Sequence, residues 1–146
     1  MITLQFVSDD SIASDLIAWY TRSIYTHVDI VRPDGWLLGA RANGGVKVRS
    51  PTYRTFKRKK RFVTTLSTEQ ETKFWNAATA QIGKPYDWTG IVAFIADRNW
   101  RHPDHWFCSE LVAWCFEQAG VPLLRVAGAD KVTPRDLTTS LLLSPL

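Results

Sequence analysis

Residues 24–49 read IYTHVDIVRPDGWLLGARANGGVKVR. A β-branched run, Ile24 to Arg32, ends at Pro33-Asp34-Gly35. A second apolar run, Trp36 to Ala40, follows, and Gly44-Gly45 turns the chain into Val46 to Arg49. Short runs of this kind, punctuated by residues that favour turns, predict consecutive antiparallel strands. Working outward, Met1 to Val7 alternates like a strand and Lys59 to Leu66 reads as another, so an antiparallel sheet of at least three or four strands is expected. Helical spacing appears elsewhere. Ile12, Ala13, Leu16, Ile17 and Tyr20 form an apolar stripe over Asp10 to Tyr20, with Ser8 or Asp9 available as N-cap. Ser67 with Gln70, or Thr68 with Glu71, offers a capping box for a helix to Ile82, which Gly83 and Pro85 stop. A short, mostly buried helix is expected over Asp87 to Ala96, then a polar loop from Asn99 to His105. Leu111, Val112, Cys115, Phe116 and Ala119 predict a helix from about Cys108, closed by Gly120 and Pro122. Thr133 and Pro134 start a last one towards Leu141. Strands first and helices after predict an α+β domain.

The 146 residues are 45% hydrophobic, 12% aromatic and 22% charged. That is enough for one compact domain over 1–146 and too little for two. Eighteen aromatics against fourteen acids exclude a disordered chain, and eight Gly with seven Pro exclude low-complexity classes. No apolar stretch approaches the roughly 18 residues that span a bilayer. The start, Met1 to Asp10, has no signal-peptide pattern, so synthesis in the cytoplasm is expected. The net charge of +4 is uneven: residues 41–61 hold nine of the eighteen basic side chains and no acid. Such a strip attracts polyanions such as nucleic acid, anionic lipid or a phosphate-bearing polymer, or it is simply a solvated strand and turn.

Few residues could carry chemistry. Cys108 lies where a loop meets a helix start, where the helix dipole and unpaired N–H groups lower a thiol's pKa and could cradle an oxyanion. Cys115, two turns on, reads as core. Seven positions along one helix separate the two by roughly 10 Å, which excludes a disulfide between them. A cysteine nucleophile needs a base, and the histidines are His27, His102 and His105. His27 reads as mid-strand, either a positioned base or an ordinary hydrogen-bonded strand histidine. His102-x-x-His105-x-x-Cys108 has metal-like spacing, but Asp104 is the only further ligand nearby, so neither a metal nor a cofactor is expected. No glycine-rich phosphate loop or nucleic-acid module is present, and nucleic acid is not the expected partner.

His27-Val28-Asp29-Ile30-Val31, the turn at 33–35, Leu38-Gly39-Ala40 and Gly45-Val46-Lys47-Val48 resemble the histidine half of the NlpC superfamily of papain-like cysteine peptidases. Gly83-Lys84-Pro85-Tyr86 resembles its Gly-x-Pro-Tyr element, and Phe107-Cys108-Ser109-Glu110-Leu111-Val112 its cysteine-bearing helix start. Histidine before cysteine is the order of the circularly permuted branch, with YiiX-like and YebB-like proteins and the lecithin retinol acyltransferase relatives. The resemblance implies a permuted papain-like fold, with Cys108 as nucleophile, His27 as base, and Tyr86, Ser109 and Asp29 as supporting or oxyanion residues. The slot of the family's third polar residue falls on Gly39, just before Ala40. Gly39 cannot orient an imidazole. Asp29, Asn43 or Asp34 would have to replace it, or the site is a dyad, or it is a degraded binding site.

The resemblance thus implies a cysteine hydrolase, or an acyltransferase, that cleaves an amide or ester through an acyl-enzyme. Peptidoglycan stem peptides and lipid or acyl thioesters are the candidate substrates, and the basic strip would favour an anionic one. A different class of reading is a non-catalytic papain-like protein that uses the strip at 41–61 to hold nucleic acid or anionic membrane.

Overall fold

A computed structural model describes residues 1–9, 22–87, 105–125 and 132–146. The expected helix at 10–20, nearly all of that at 87–96, and His102 and Asp104 lie outside these residues. Among the described residues, six strands form one antiparallel sheet: β1 (Ile2–Ser8), β2 (His27–Val31), β3 (Leu37–Arg41), β4 (Gly45–Arg49), β5 (Arg58–Thr64) and β6 (Ser144–Pro145). Their order across the sheet is β4-β3-β2-β1-β5-β6. Three helices are described: α1 (Thr68–Ala80), α2 (Cys108–Gln118) and α3 (Pro134–Thr138). The α+β class read from the sequence is the class observed.

Alternation sorts the strands into two faces. Leu4 pairs with Ile30 and Phe62, and Ile30 with Leu38. This apolar face joins Phe74 and Ala78 of α1 and Leu111, Val112, Cys115 and Phe116 of α2 in the core. Phe74 and Phe116 meet edge to face, 4.7 Å between ring centroids. The opposite face is polar: Gln5 lies between Asp29 and Arg61, and Val7 between His27 and Lys59. The loop at 50–57 folds back over it, where the Tyr53 hydroxyl donates to Asp29 Oδ2 at 3.0 Å.

The capping signals act as expected. Ser67 and Gln70 form a reciprocal capping box at α1, and Thr133 and Asp136 form another at α3, with Pro134 in the first turn. Gly83 (φ +94°) and Gly120 (φ +74°) take the left-handed backbone just past α1 and α2. The larger differences are two boundaries and one unforeseen strand. β2 starts at His27, not Ile24, because Tyr25 N–H is spent on Ser23 Oγ in a local turn. His27 is therefore a strand's first residue rather than its middle. α3 stops at Thr138, well short of Leu141, which is almost wholly exposed. β6 has no periodic signal, being two residues of which one is proline.

Candidate active site

The thiol is brought to the sheet by backbone pairing. Gly45 (φ +68°) lets β4 pass so close to the 83–86 turn that a Cβ on it would lie 2.2 Å from the Lys84 carbonyl oxygen. Val46 N–H then donates to Lys84 O and Gly83 N–H to Val46 O, each at 2.9 Å. From that turn, Trp106 N–H donates to Pro85 O at 3.1 Å, and Asp87 N–H to Trp106 O at 3.2 Å. Trp106 is locked further by its indole N–H on Gln81 Oε1 at 3.0 Å. Two residues later α2 begins at Cys108. The Gly-x-Pro-Tyr element is thus the splice between the sheet and the helix that carries the cysteine.

Cys108 is 1% exposed. Its sulfur faces the backbone N–H groups of Val28 and Ser109, with the charges of Asp29 and Arg41 acting on it. Burial dominates and pushes the thiol up to about 12; the two backbone N–H groups and Arg41 pull the other way and lose. The lowered pKa expected of a helix N-terminus is therefore reversed, because the site is dry. Cys108 rests as a neutral thiol. Cys115 is buried on the core face and is pushed up by burial alone. Both cysteines are free.

The sulfur's contact with Val28 sets it beside the peptide that follows His27. No hydrogen bond joins Cys108 to the imidazole. His27 Nε2 instead lies 2.8 Å from Asp29 Oδ1, both side chains being buried. Burial lowers the His27 pKa, against the pull of Asp29, and Arg41 and Arg49 lower it further. For Asp29 burial acts upward, but the contacts with His27, Arg41 and Tyr53 outweigh it and hold the carboxyl below its usual range. The pair is therefore a carboxylate and a neutral imidazole. Nε2 carries the proton donated to Asp29, and Nδ1 keeps its lone pair.

Asp29 occupies the volume that a side chain at position 39 would fill. A Cβ on Gly39 would lie 2.1 Å from Asp29 Oδ1. The slot that the family resemblance leaves vacant is filled across the sheet by the carboxylate two residues after the histidine. Of the other candidates for that role, Asp34 is held in the turn by Arg32 Nη2 at 2.9 Å and Trp36 N–H at 3.0 Å. Asn43 offers its carbonyl to Arg49 Nη2 at 3.1 Å. Neither is bonded to His27.

Ser109 gives its hydroxyl to Val132 O, so its side chain braces α2 while its N–H faces the sulfur. Tyr86 is nearly buried, its ring 5.9 Å from that of Phe107. Burial first, then Cys108, holds its phenol well above the ordinary value, so it is a proton donor at neutral pH. Among the described residues no three His, Cys, Asp or Glu side chains group closely enough to hold a metal ion. No described helix is long and apolar enough to cross a membrane.

The sequence reading missed Tyr53 and Arg41 as site residues. Arg41 sits with its guanidinium carbon 4.9 Å from the Tyr53 ring centroid, and its Nη1 donates to Asp9 Oδ2 at 3.1 Å. Strand register could have found it. Ile30 pairs with Leu38 and Val31 with Leu37, and continuing that register sets Gly39 against Asp29 and Arg41 against His27. Nothing in the pattern of 50–57 announces Tyr53.

No family model matches the chain, and no curated protein does. Among solved structures the chain is similar to YiiX, described as a metalloprotein of Escherichia coli O157:H7, at a TM-score of 0.74 and 20% identity. The match covers 99% of this chain and 94% of that one. At that identity the likeness is one of fold.

Proposed function

We propose that this chain is a cysteine-dependent acyl hydrolase or acyltransferase of the permuted papain-like kind, with Cys108 as nucleophile and His27 as base. The observation that carries the reading is that the sulfur, at a helix start, touches the backbone beside a neutral imidazole whose other nitrogen is fixed by a buried carboxylate. The buried thiol is too weak an acid to ionise alone, so the base must take its proton during attack. His27 Nδ1 accepts that proton as the sulfur bonds to the substrate carbonyl carbon. The C=O pair moves onto oxygen, where the N–H groups of the first turn of α2 and the Tyr86 hydroxyl are the candidate donors. Collapse breaks the bond to the leaving amine or alcohol, which departs with the proton from His27. Water, or a second nucleophile, then releases the acyl group by the reverse sequence. Asp29 is a positioning residue that keeps the tautomer and stabilises the transient imidazolium.

The neighbouring structure is described as a metalloprotein. The described residues here do not fit a metal. His27 Nε2 and Asp29 are spent on each other, Tyr53 takes the second carboxylate oxygen, and Arg41 puts a positive charge beside the pair.

The test is an activated aryl ester followed by mass spectrometry. Wild type and Cys115→Ala should release a burst of phenol and carry one acyl group on Cys108, and Cys108→Ala and His27→Ala should do neither. Equal losses from the two cysteine variants, or acylation elsewhere, would overturn the assignment. A non-catalytic binding role draws on the exposed Lys57, Arg58 and Lys59. A salt-sensitive liposome or DNA shift that survives Cys108→Ala, without any burst in wild type, would favour it.

A further inference from the structure

Arg41 is only 14% exposed at its side chain, and its guanidinium is half used. Nη1 is bound to Asp9, but Nε and Nη2 are buried and have no hydrogen-bond partner. These two nitrogens form one edge of the guanidinium, with parallel N–H bonds spaced for the two oxygens of a carboxylate. Burying such donors unpaired is costly, so an orphaned edge in a dry site calls for a missing acceptor.

The nearby acids do not supply one. Asp9 Oδ2 is shared between Arg41 and Arg54, the latter at 2.6 Å. Asp29 is committed to His27 and Tyr53. Arg49 is held by four main-chain carbonyls, those of Gly39, Asn43, Gly45 and Lys47, with no carboxylate among them. Arg41 and Arg54 thus share the one Asp9 oxygen, and the Arg41 charge acts on Cys108 and on Tyr86, which Glu110 and Asp87 also face.

We propose that the free Nε–Nη2 edge of Arg41 is a receptor for a carboxylate on the substrate, holding it beside the carbonyl that Cys108 attacks. This rests on Cys108 being the nucleophile, and it adds the substrate's class: an acyl compound with a free carboxylate close to the scissile bond. A carboxylate matches the two parallel donors of this edge. A phosphate would bring more oxygens than the two that this edge can pair.

Iodoacetate and iodoacetamide test this, being alike in size and differing in that carboxylate. In each case Cys108 sulfur displaces iodide, the S–C bond forming as C–I breaks and the thiol proton passing to His27. In wild type, the ratio of iodoacetate to iodoacetamide rates at Cys108 should exceed that of free cysteine by roughly tenfold or more, as a charge-assisted bidentate contact implies. The iodoacetate rate should also saturate with concentration. Arg41→Gln should return the ratio to that of free cysteine, with Arg41→Lys between. A wild-type ratio equal to free cysteine's, or one unmoved in both variants, overturns the receptor.

Failure of iodoacetamide to label Cys108 would instead overturn the nucleophile. The receptor is then decided by thermal unfolding in acetate against chloride at equal ionic strength. A rise in Tm with acetate that is absent in both Arg41 variants supports it, and no acetate-specific rise overturns it. A larger rise with inorganic phosphate than with acetate would overturn the carboxylate assignment.

Discussion

At Gly39 a methyl group would lie 2.1 Å from Asp29 Oδ1, so the carboxylate bonded to His27 and the absence of a side chain across the strand are one feature. Gly39→Ala should push Asp29 off the imidazole. The expected loss of acylation rate is on the order of 10²–10⁴, the scale seen when a base loses its orienting carboxylate. The accompanying overpacking cost is about 1–3 kcal/mol. Asp29→Asn should lose a similar rate at a smaller stability cost. If Gly39→Ala keeps both the burst and the His27 titration by NMR, the carboxylate is not the orienting group. Legibility at this scale follows from how local a residue's role is. The proposed pair, Cys108 and His27, stands in stretches that carry their own context, whereas finding Asp29, and not Asn43 or Asp34, bonded to His27 needed the cross-strand gap at Gly39. Tyr53 reaches Asp29 from 24 positions away, and no spacing rule encodes that reach.

The elements divide by whether they serve stability or place the thiol. Ser67→Ala removes the α1 capping box and should cost about 1 kcal/mol in chemical denaturation. It should leave Cys108 acylation unchanged; a matching loss of burst would tie α1 to the site. Gly45→Ala is the converse case. Its φ of +68° and the close Lys84 carbonyl leave no room for a methyl, so the splice from β4 to the cysteine loop must shift. We expect a loss of about 1–3 kcal/mol together with a changed rate of Cys108 alkylation. An unaltered alkylation rate would show that α2 is placed by core packing alone. Caps and stop glycines were readable because one or two residues set them. The start of β2 was not, since a single Ser23 hydroxyl competes with the strand for the Tyr25 N–H. β6 was invisible because pairing with Phe62 and Val63, rather than its own pattern, makes it a strand.

For the molecule as a whole, the His27 and Asp29 shifts fix how stability responds to acid. The folded His27 titrates below its ordinary 6.5, so on acidification from that value the unfolded chain takes up a proton first and stability falls. Asp29, held below its ordinary 3.8, contributes fully above that value and loses its contribution as pH falls through the folded pKa. Urea midpoints should therefore decline from pH 7 to 5.5, and less so in His27→Gln; a flat or rising wild-type profile would contradict the buried neutral imidazole. The α+β class was legible because strand runs precede helical ones in the chain, but the strand order was not. β1 is central, paired with β2 on one side and with β5, more than fifty positions later, on the other. A growing chain that has delivered only the first four strands therefore shows β1, with Ile2, Leu4, Phe6 and Val7, as an open template for any other strand. The segment that closes it, Arg58 to Arg61, is also among the most cationic in the protein. The charge that would repel a second nascent copy arrives together with the strand that makes such repulsion unnecessary.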